Sequence, residues 1–194
     1  MILLLAVVIG LIAGLTRAWV KKREYRYDDL RYSWLVLVAF IPQILVFFIP
    51  SISRSVSDSL AAVVLVSSQA LLLLFAIFNI KLTSFWPIFT GFLANFLVIS
   101  LNGGLMPISP ETIKKMTTTL PNFTYQLGSR LGTGKDIVLN EAATRLAFLS
   151  DRFVVDAKIF IVAFSAGDIL ISLGVIWLLW SLGGPNESKT VEKK

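Results

Sequence analysis

Apolar residues gather into five long runs, near 2–20, 33–50, 60–80, 84–101 and 163–182. A helix needs about 20 such residues to cross the hydrocarbon core of a bilayer. The runs are continuous and do not alternate. They therefore read as helices and exclude a β-barrel, because lipid offers no water to satisfy loose backbone groups. A short polar loop falls at 51–59 and a long polar segment at 102–162. Within the long segment, Ser109-Pro110-Glu111 has the form of a helix start, with serine as cap and proline at the first helical position. Between 135 and 153, Ile137, Val138, Ala142, Leu146, Phe148 and Leu149 recur at helical spacing. Two short amphipathic helices are predicted there. Val155, Ala157 and Ile159 then alternate with Asp156 and Lys158, as in an extended piece leading into the last run. The whole pattern predicts an all-α polytopic membrane protein. Residues 1–182 form a single transmembrane domain with five transmembrane helices and short amphipathic helices in one long outer loop at 102–162. A disordered cytoplasmic tail is expected at 183–194.

Composition agrees with this pattern. The chain is 56% hydrophobic, with a mean hydropathy of +0.78, too apolar for a soluble domain of 194 residues. It contains neither cysteine nor histidine. Disulfides, thiolate nucleophiles, Cys/His metal sites and Ser-His-Asp chemistry are thereby excluded. No cofactor and no metal is expected, and carboxylates, Lys, Ser/Thr and Tyr remain as catalytic options. The net charge of +6 is concentrated in Arg17, Lys21, Lys22, Arg23, Arg26 and Arg31, beside the first run. That placement argues against a nucleic-acid partner. It is a positive-inside signal that also touches anionic lipid. The N-terminus then lies outside, and the C-terminus, with Lys189, Lys193 and Lys194, lies in the cytoplasm. Trp19, Trp34, Trp86, Trp177 and Trp180, with Tyr25, Tyr27 and Tyr32, fall on the cytoplasmic side, where amphipathic rings settle at the interface. Gly10 and Gly14, like Ala163 and Gly167, have a spacing that lets helices approach closely, within one chain or between two. Gln43, Ser67, Ser68, Gln69 and Asn95 are polar groups inside the runs, suited to hydrogen bonds between helices or to a polar lining. Pro42 is expected to kink the second run.

Asp168 is the outstanding chemical feature, a carboxylate inside an apolar run. Only 16 residues, 169–184, separate it from the far end. At about 1.5 Å each these span roughly 24 Å, so Asp168 belongs near the outer boundary, where Asp151 can meet it. Two carboxylates sharing one proton supply an acid and a base for activating water. A structural ion pair of either acid with Arg145 or Arg152 accounts for the same residues. Asn102-Gly103-Gly104 closes the fourth run, either as a simple turn or as part of a cleft above the acids. The segment 128–136 reads as a turn before a helix, with headgroup phosphate binding by Lys135 as a lesser use. Asn122-Phe123-Thr124 matches a glycosylation sequon by pattern only and carries no weight.

Asp151-Arg152, Val154-Val155-Asp156 and Phe164-Ser165-Ala166-Gly167-Asp168 resemble the C-terminal half of lipoprotein signal peptidases, aspartic proteases of the bacterial membrane. The resemblance covers about 25 residues and implies that Asp151 and Asp168 are the catalytic pair. Phe148 and Ser165 stand where that family has asparagine, and its core has four spans. More broadly, Leu101-Asn102-Gly103-Gly104-Leu105-Met106-Pro107, Gly134-Lys135-Asp136, Leu149-Ser150-Asp151-Arg152 and Ser165-Ala166-Gly167-Asp168 resemble an uncharacterised bacterial family of five-span membrane proteins, a domain of unknown function. That likeness implies a place in the bacterial inner membrane and no activity.

The leading expectation is a binding or assembly component acting through its outer loop, with the lipid bilayer and another membrane protein or membrane-anchored peptide as partners. The alternative is a membrane-embedded aspartic hydrolase that acts on membrane-anchored polypeptides at the outer leaflet. Asp151 and Asp168 would then be acid and base, Arg145 and Arg152 would orient the substrate, and Asn102, Gly103, Gly104 and Ser165 would complete the binding residues. Transport of a small solute or proton is a third reading, for which only Asp168 is ionisable well inside the runs.

Overall fold

The protein is described by a computed structural model over residues 2–26, 30–117, 123–157 and 161–184. Tyr27, Asn122, Lys158, Lys189, Lys193 and Lys194 lie outside the described residues, as does the expected tail from 185 onward. The helices are α1 (Ile2–Val20), α2 (Trp34–Phe48), α3 (Pro50–Ser55), α4 (Asp58–Phe78), α5 (Phe85–Leu101), α6 (Pro110–Met116) and α7 (Ala166–Leu182). Five of them fall on the five apolar runs within a few residues. By length and composition, α1 and α4, with 19 and 21 residues, can cross a membrane, whereas α2, α5 and α7 are shorter apolar helices of 10–17 residues. The short α3 occupies a stretch expected to be loop. Ile49 breaks the chain there with an extended backbone, and Pro50 opens a new helix at its first position.

The helices pack chiefly in the order α1–α7–α5–α4–α2. The buried face of α1 is Ala6, Gly10, Gly14 and Ala18, one small residue per turn. A Cβ at Gly10 would stand 3.0 Å from the Leu179 side chain, so α1 and α7 touch almost backbone to backbone. The close-approach spacing thus serves contacts within the chain. Gly91 of α5 and Gly167 of α7 face each other in the same way. Ala163 belongs to a strand, so the second spacing pattern does not continue along a helix. Pro42 stands inside α2. Facing away from these contacts, Leu4, Ile12, Leu37, Phe48, Val63 and Leu173 are exposed.

One end of the bundle gathers the basic segment and the tryptophans. Arg17 stacks 3.7 Å from the Trp180 ring centroid and donates to the Trp180 carbonyl at 3.2 Å. Tyr25 donates to the Leu179 carbonyl at 2.9 Å. Asn79, capping α4, exchanges hydrogen bonds of 2.8 and 2.9 Å with the Arg31 backbone.

The described residues are mostly helical, as expected, but the opposite end carries a cap of mixed structure, so the fold is not all-α. Strands β1 (Met106–Ile108) and β2 (Asp136–Val138) pair in parallel, and β3 (Phe153–Asp156) and β4 (Ile161–Phe164) pair antiparallel. The first amphipathic helix is α6, where Ser109 accepts from the Thr112 amide at 3.2 Å and Pro110 follows. The second, expected over 135–153, is replaced by β2 and two 3-10 turns at Glu141–Ala143 and Ala147–Leu149. Ile137 packs with Leu105 and Met106, whereas its neighbour Val138 packs with Ile108 and Ile113. Adjacent residues entering different clusters is the period of a strand, not of a helix. Of the extended piece expected over 153–162, the described residues form β3 and the start of β4, which pair antiparallel.

Candidate functional site

Asp168 sits in the first turn of α7 and forms a reciprocal cap with Ser165. The Ser165 hydroxyl accepts from the Asp168 amide at 3.0 Å, and the Asp168 carboxylate accepts from the Ser165 amide at 3.3 Å. Such a cap satisfies two helix-end amides and places negative charge at the positive end of the dipole. Asn95 of α5 completes the arrangement. Its Nδ2 donates to Asp168 Oδ1 at 2.9 Å, and its Oδ1 accepts from the Ser165 hydroxyl at 2.9 Å. A side chain at Gly167 would collide with the Asn95 amide, so glycine is required for the two helices to meet there. Ser165 is fully buried, and Asn95 is buried beside it.

Asp151 is held from above by the cap sheet. Its amide donates to the Pro107 carbonyl at 3.1 Å, and it bridges to Ile108 of β1. Lys135, just before β2, donates to Asp151 Oδ2 at 2.6 Å and to Asp136 Oδ1 at 3.1 Å. The Asp151 side chain is 1% exposed and the Lys135 side chain 40%, so water reaches one member of the pair and not the other. Asp151 Oδ1 is buried with no hydrogen-bond partner. Burial raises Asp151 to about 7, with the charges of Asp136 and Asp168 adding to the rise and the Lys135 ammonium opposing it. Desolvation works against the charged Lys135, but Asp136, Asp151 and Asp168 together outweigh it and raise its pKa. The charge of Asp168 therefore reaches Asp151, while each acid binds a different partner.

The other expected site residues surround this centre unevenly. Asn102 caps α5 and grips the Arg145 backbone, donating to its carbonyl at 2.8 Å and accepting from its amide at 2.9 Å. Gly103 and Gly104 turn the chain with φ of 83° and 85°. The Arg145 side chain is exposed, and Arg152 stands 4.0 Å from Glu141 at the surface. Neither arginine pairs with Asp151 or Asp168, which corrects the expected ion pair: Lys135 and Asn95 hold those acids instead. Among the described residues, no cluster of three or more His, Cys, Asp or Glu is placed to hold a metal ion.

Sequence reasoning missed Arg130. Buried against α3 and the turn before β2, it donates to the Gly134 and Thr133 carbonyls at 2.6 Å each and to the Ser53 hydroxyl at 3.1 Å. It also approaches Asp58 of α4 at 4.0 Å. The glycines on either side drew attention to a turn, and no local pattern marked the arginine between them as its centre.

A model described as a family of unknown function (DUF5317) matches residues 28–180. The chain belongs to the DUF5317 family. That match takes in α2 to α6, the whole cap and nearly all of α7, hence every residue of the site. Helix α1 and the basic segment at 21–26 precede it. No curated protein and no solved structure matches this DUF5317 chain.

Proposed function

We propose that this DUF5317 protein is an integral protein of the bacterial cell membrane whose outer cap serves as a binding or assembly surface. In this reading five helices span the bilayer, with the N-terminus outside and the basic end in the cytoplasm. The exposed apolar faces of α1, α2 and α4 support the membrane placement, because a soluble monomer rarely exposes so much contiguous apolar surface. Lys21, Lys22, Arg23, Arg31 and Lys81 at one end support the direction. The observation that favours binding over catalysis is the engagement of the two acids. Both Asp168 oxygens are committed to its own helix cap and Asn95, and Asp151 is committed to Lys135. The Asp168 set ties α7 to α5, and the Asp151–Lys135 pair ties segments of the cap to one another. Exposed Phe148, Phe153 and Val155 on the cap offer a surface for another membrane protein or a membrane-anchored peptide.

A second reading keeps a specific observation. The unpartnered Asp151 Oδ1, on a group raised to about 7 within reach of Asp168's charge, is suited to an acid or base in peptide hydrolysis at the outer leaflet. One set of variants separates the two. Asp168→Asn keeps one of the two side-chain acceptors and is expected to stay closer to wild-type abundance in membranes than Asp168→Ala, which loses both the cap and the Asn95 bond and falls several-fold. Envelope lipoproteins in cells carrying Asp151→Asn or Asp168→Asn should mature at the wild-type rate. Normal abundance with stalled maturation in both Asn variants would discard the binding reading in favour of the hydrolase.

A further inference from the structure

Helix α1 ends on an unusual residue. Its last turn closes with the Lys22 amide donating to the Trp19 carbonyl at 3.1 Å and the Arg23 amide donating to the Ala18 carbonyl at 2.9 Å. This is the helix ending that normally places glycine in the left-handed conformation. Here Lys22 occupies that position with φ 50°, although glycine takes it freely and lysine does so only at a cost. The turn is braced from below. Arg17 stacks on Trp180, Tyr25 reaches the Leu179 carbonyl, and Arg26 donates to the Ser181 carbonyl at 3.0 Å. An open groove of about 490 Å³ runs along the turn, lined by Ala18, Trp19, Val20, Lys22 and Arg23. Trp19 is 80% exposed. Lys21, Lys22 and Arg23 are exposed too, and among the described residues no carboxylate pairs with them.

We propose that this groove binds one anionic phospholipid, with Lys22 and Arg23 on the phosphate and Trp19, Ala18 and Val20 along the glycerol and upper acyl chain. The charge and the apolar wall are both needed by that ligand, and free phosphate would use only the first. The backbone closure already satisfies the helix carbonyls, so the two cationic side chains are available for an external anion. A left-handed backbone at Lys22 fixes the direction in which its Cα–Cβ bond leaves the helix end, and strained backbone held by its surroundings is a recurrent mark of binding sites. The proposal rests on the membrane placement above but not on what the outer cap does.

The test uses the full chain purified in a neutral detergent, with thermal melting read while lipid is added. Phosphatidylglycerol should raise Tm in a saturable way, and phosphatidylcholine and inorganic phosphate should not. Lys22→Gly combined with Arg23→Gln should weaken the phosphatidylglycerol response roughly tenfold or more. Lys22→Gly alone should melt no lower than the wild type without lipid, which shows that a weakened response does not come from a damaged fold. Arg31→Gln with Lys81→Gln, on the same end of the molecule, should keep the full response. Equal stabilisation by phosphatidylcholine or by inorganic phosphate overturns the proposal. So does a full phosphatidylglycerol response in the Lys22/Arg23 variant, or an equal loss in the Arg31/Lys81 variant. Retention of the wild type in alkali-washed membranes checks the membrane placement separately. Its failure condemns that placement, whereas retention with no lipid discrimination condemns the groove alone.

Discussion

Asp151 gives one oxygen to Lys135 and keeps the other buried without a donor. Burial disfavours the charged form of the carboxyl by desolvation, and a proton removes that charge. That is why burial prevails over a lysine at 2.6 Å and the group rises from 3.8 to about 7. A carboxyl raised on folding contributes stability that is complete below its unfolded value and is lost as pH climbs through the folded one. Melting of the purified protein should therefore fall as pH goes from about 4 to about 7, and Asp151→Asn should flatten that decline. Lys135→Met removes the opposing charge and should push the decline above pH 7. Identical melting profiles for the wild type and Asp151→Asn would show that another group sets the slope. At this scale the sequence was half legible. Asp151 and Asp168 stood out as acids next to or within apolar sequence, and Ser165-Ala166-Gly167-Asp168 was visible as a unit. Asn95 explains that unit, but it lies 70 residues from Ser165 and looked like any polar residue in a helix.

The end of α5 shows how far a short motif can be read at the level of elements. Asn102-Gly103-Gly104 was legible as a helix stop, and the Gly104 amide does close back on the Ile99 carbonyl at 2.9 Å. What was not legible is that the two glycines differ. A Cβ at Gly103 would meet nothing within 4 Å, whereas one at Gly104 would stand 2.7 Å from the Ala62 Cβ of α4. Gly103→Ala should thus cost only the left-handed backbone penalty, about 1–2 kcal/mol. Gly104→Ala adds the collision and should lower Tm clearly further. Equal losses would mean that α4 yields at no cost. Helix periodicity succeeded for the long apolar runs because their length leaves no other solution. It failed over 135–153, where a mixed apolar count fits a helix template although Ile137 and Val138 enter opposite clusters. Partners β1 and Ser129 decide that segment, and neither is local to it.

Across the whole molecule, two clamps hold the cap to the bundle. One is Asn102 at the end of α5, whose side chain grips the Arg145 backbone. The other is Arg130, above α3 and α4. With one clamp cut, the cap should loosen on that side alone. In Arg130→Met, hydrogen exchange across 128–138 should quicken about tenfold or more, since bonds to a buried charge contribute about 1.5–3 kcal/mol each. The interior of α5 should keep its protection. Uniform acceleration in both regions would mean that cap and helices open together. The adjacency of α1 and α7 was not legible, because Gly10 and Gly14 announce a close neighbour without naming it. That adjacency bears on how the chain is made. On the proposed membrane placement α1 leaves the ribosome well before α7, and the surface that covers Gly10 and Gly14 arrives only when Leu179 has been synthesised. Until then α1 would wait without its mate, its glycine face open to lipid or to chaperoning helices of the insertion machinery. The α1–α7 contact can then close only once α7 has followed.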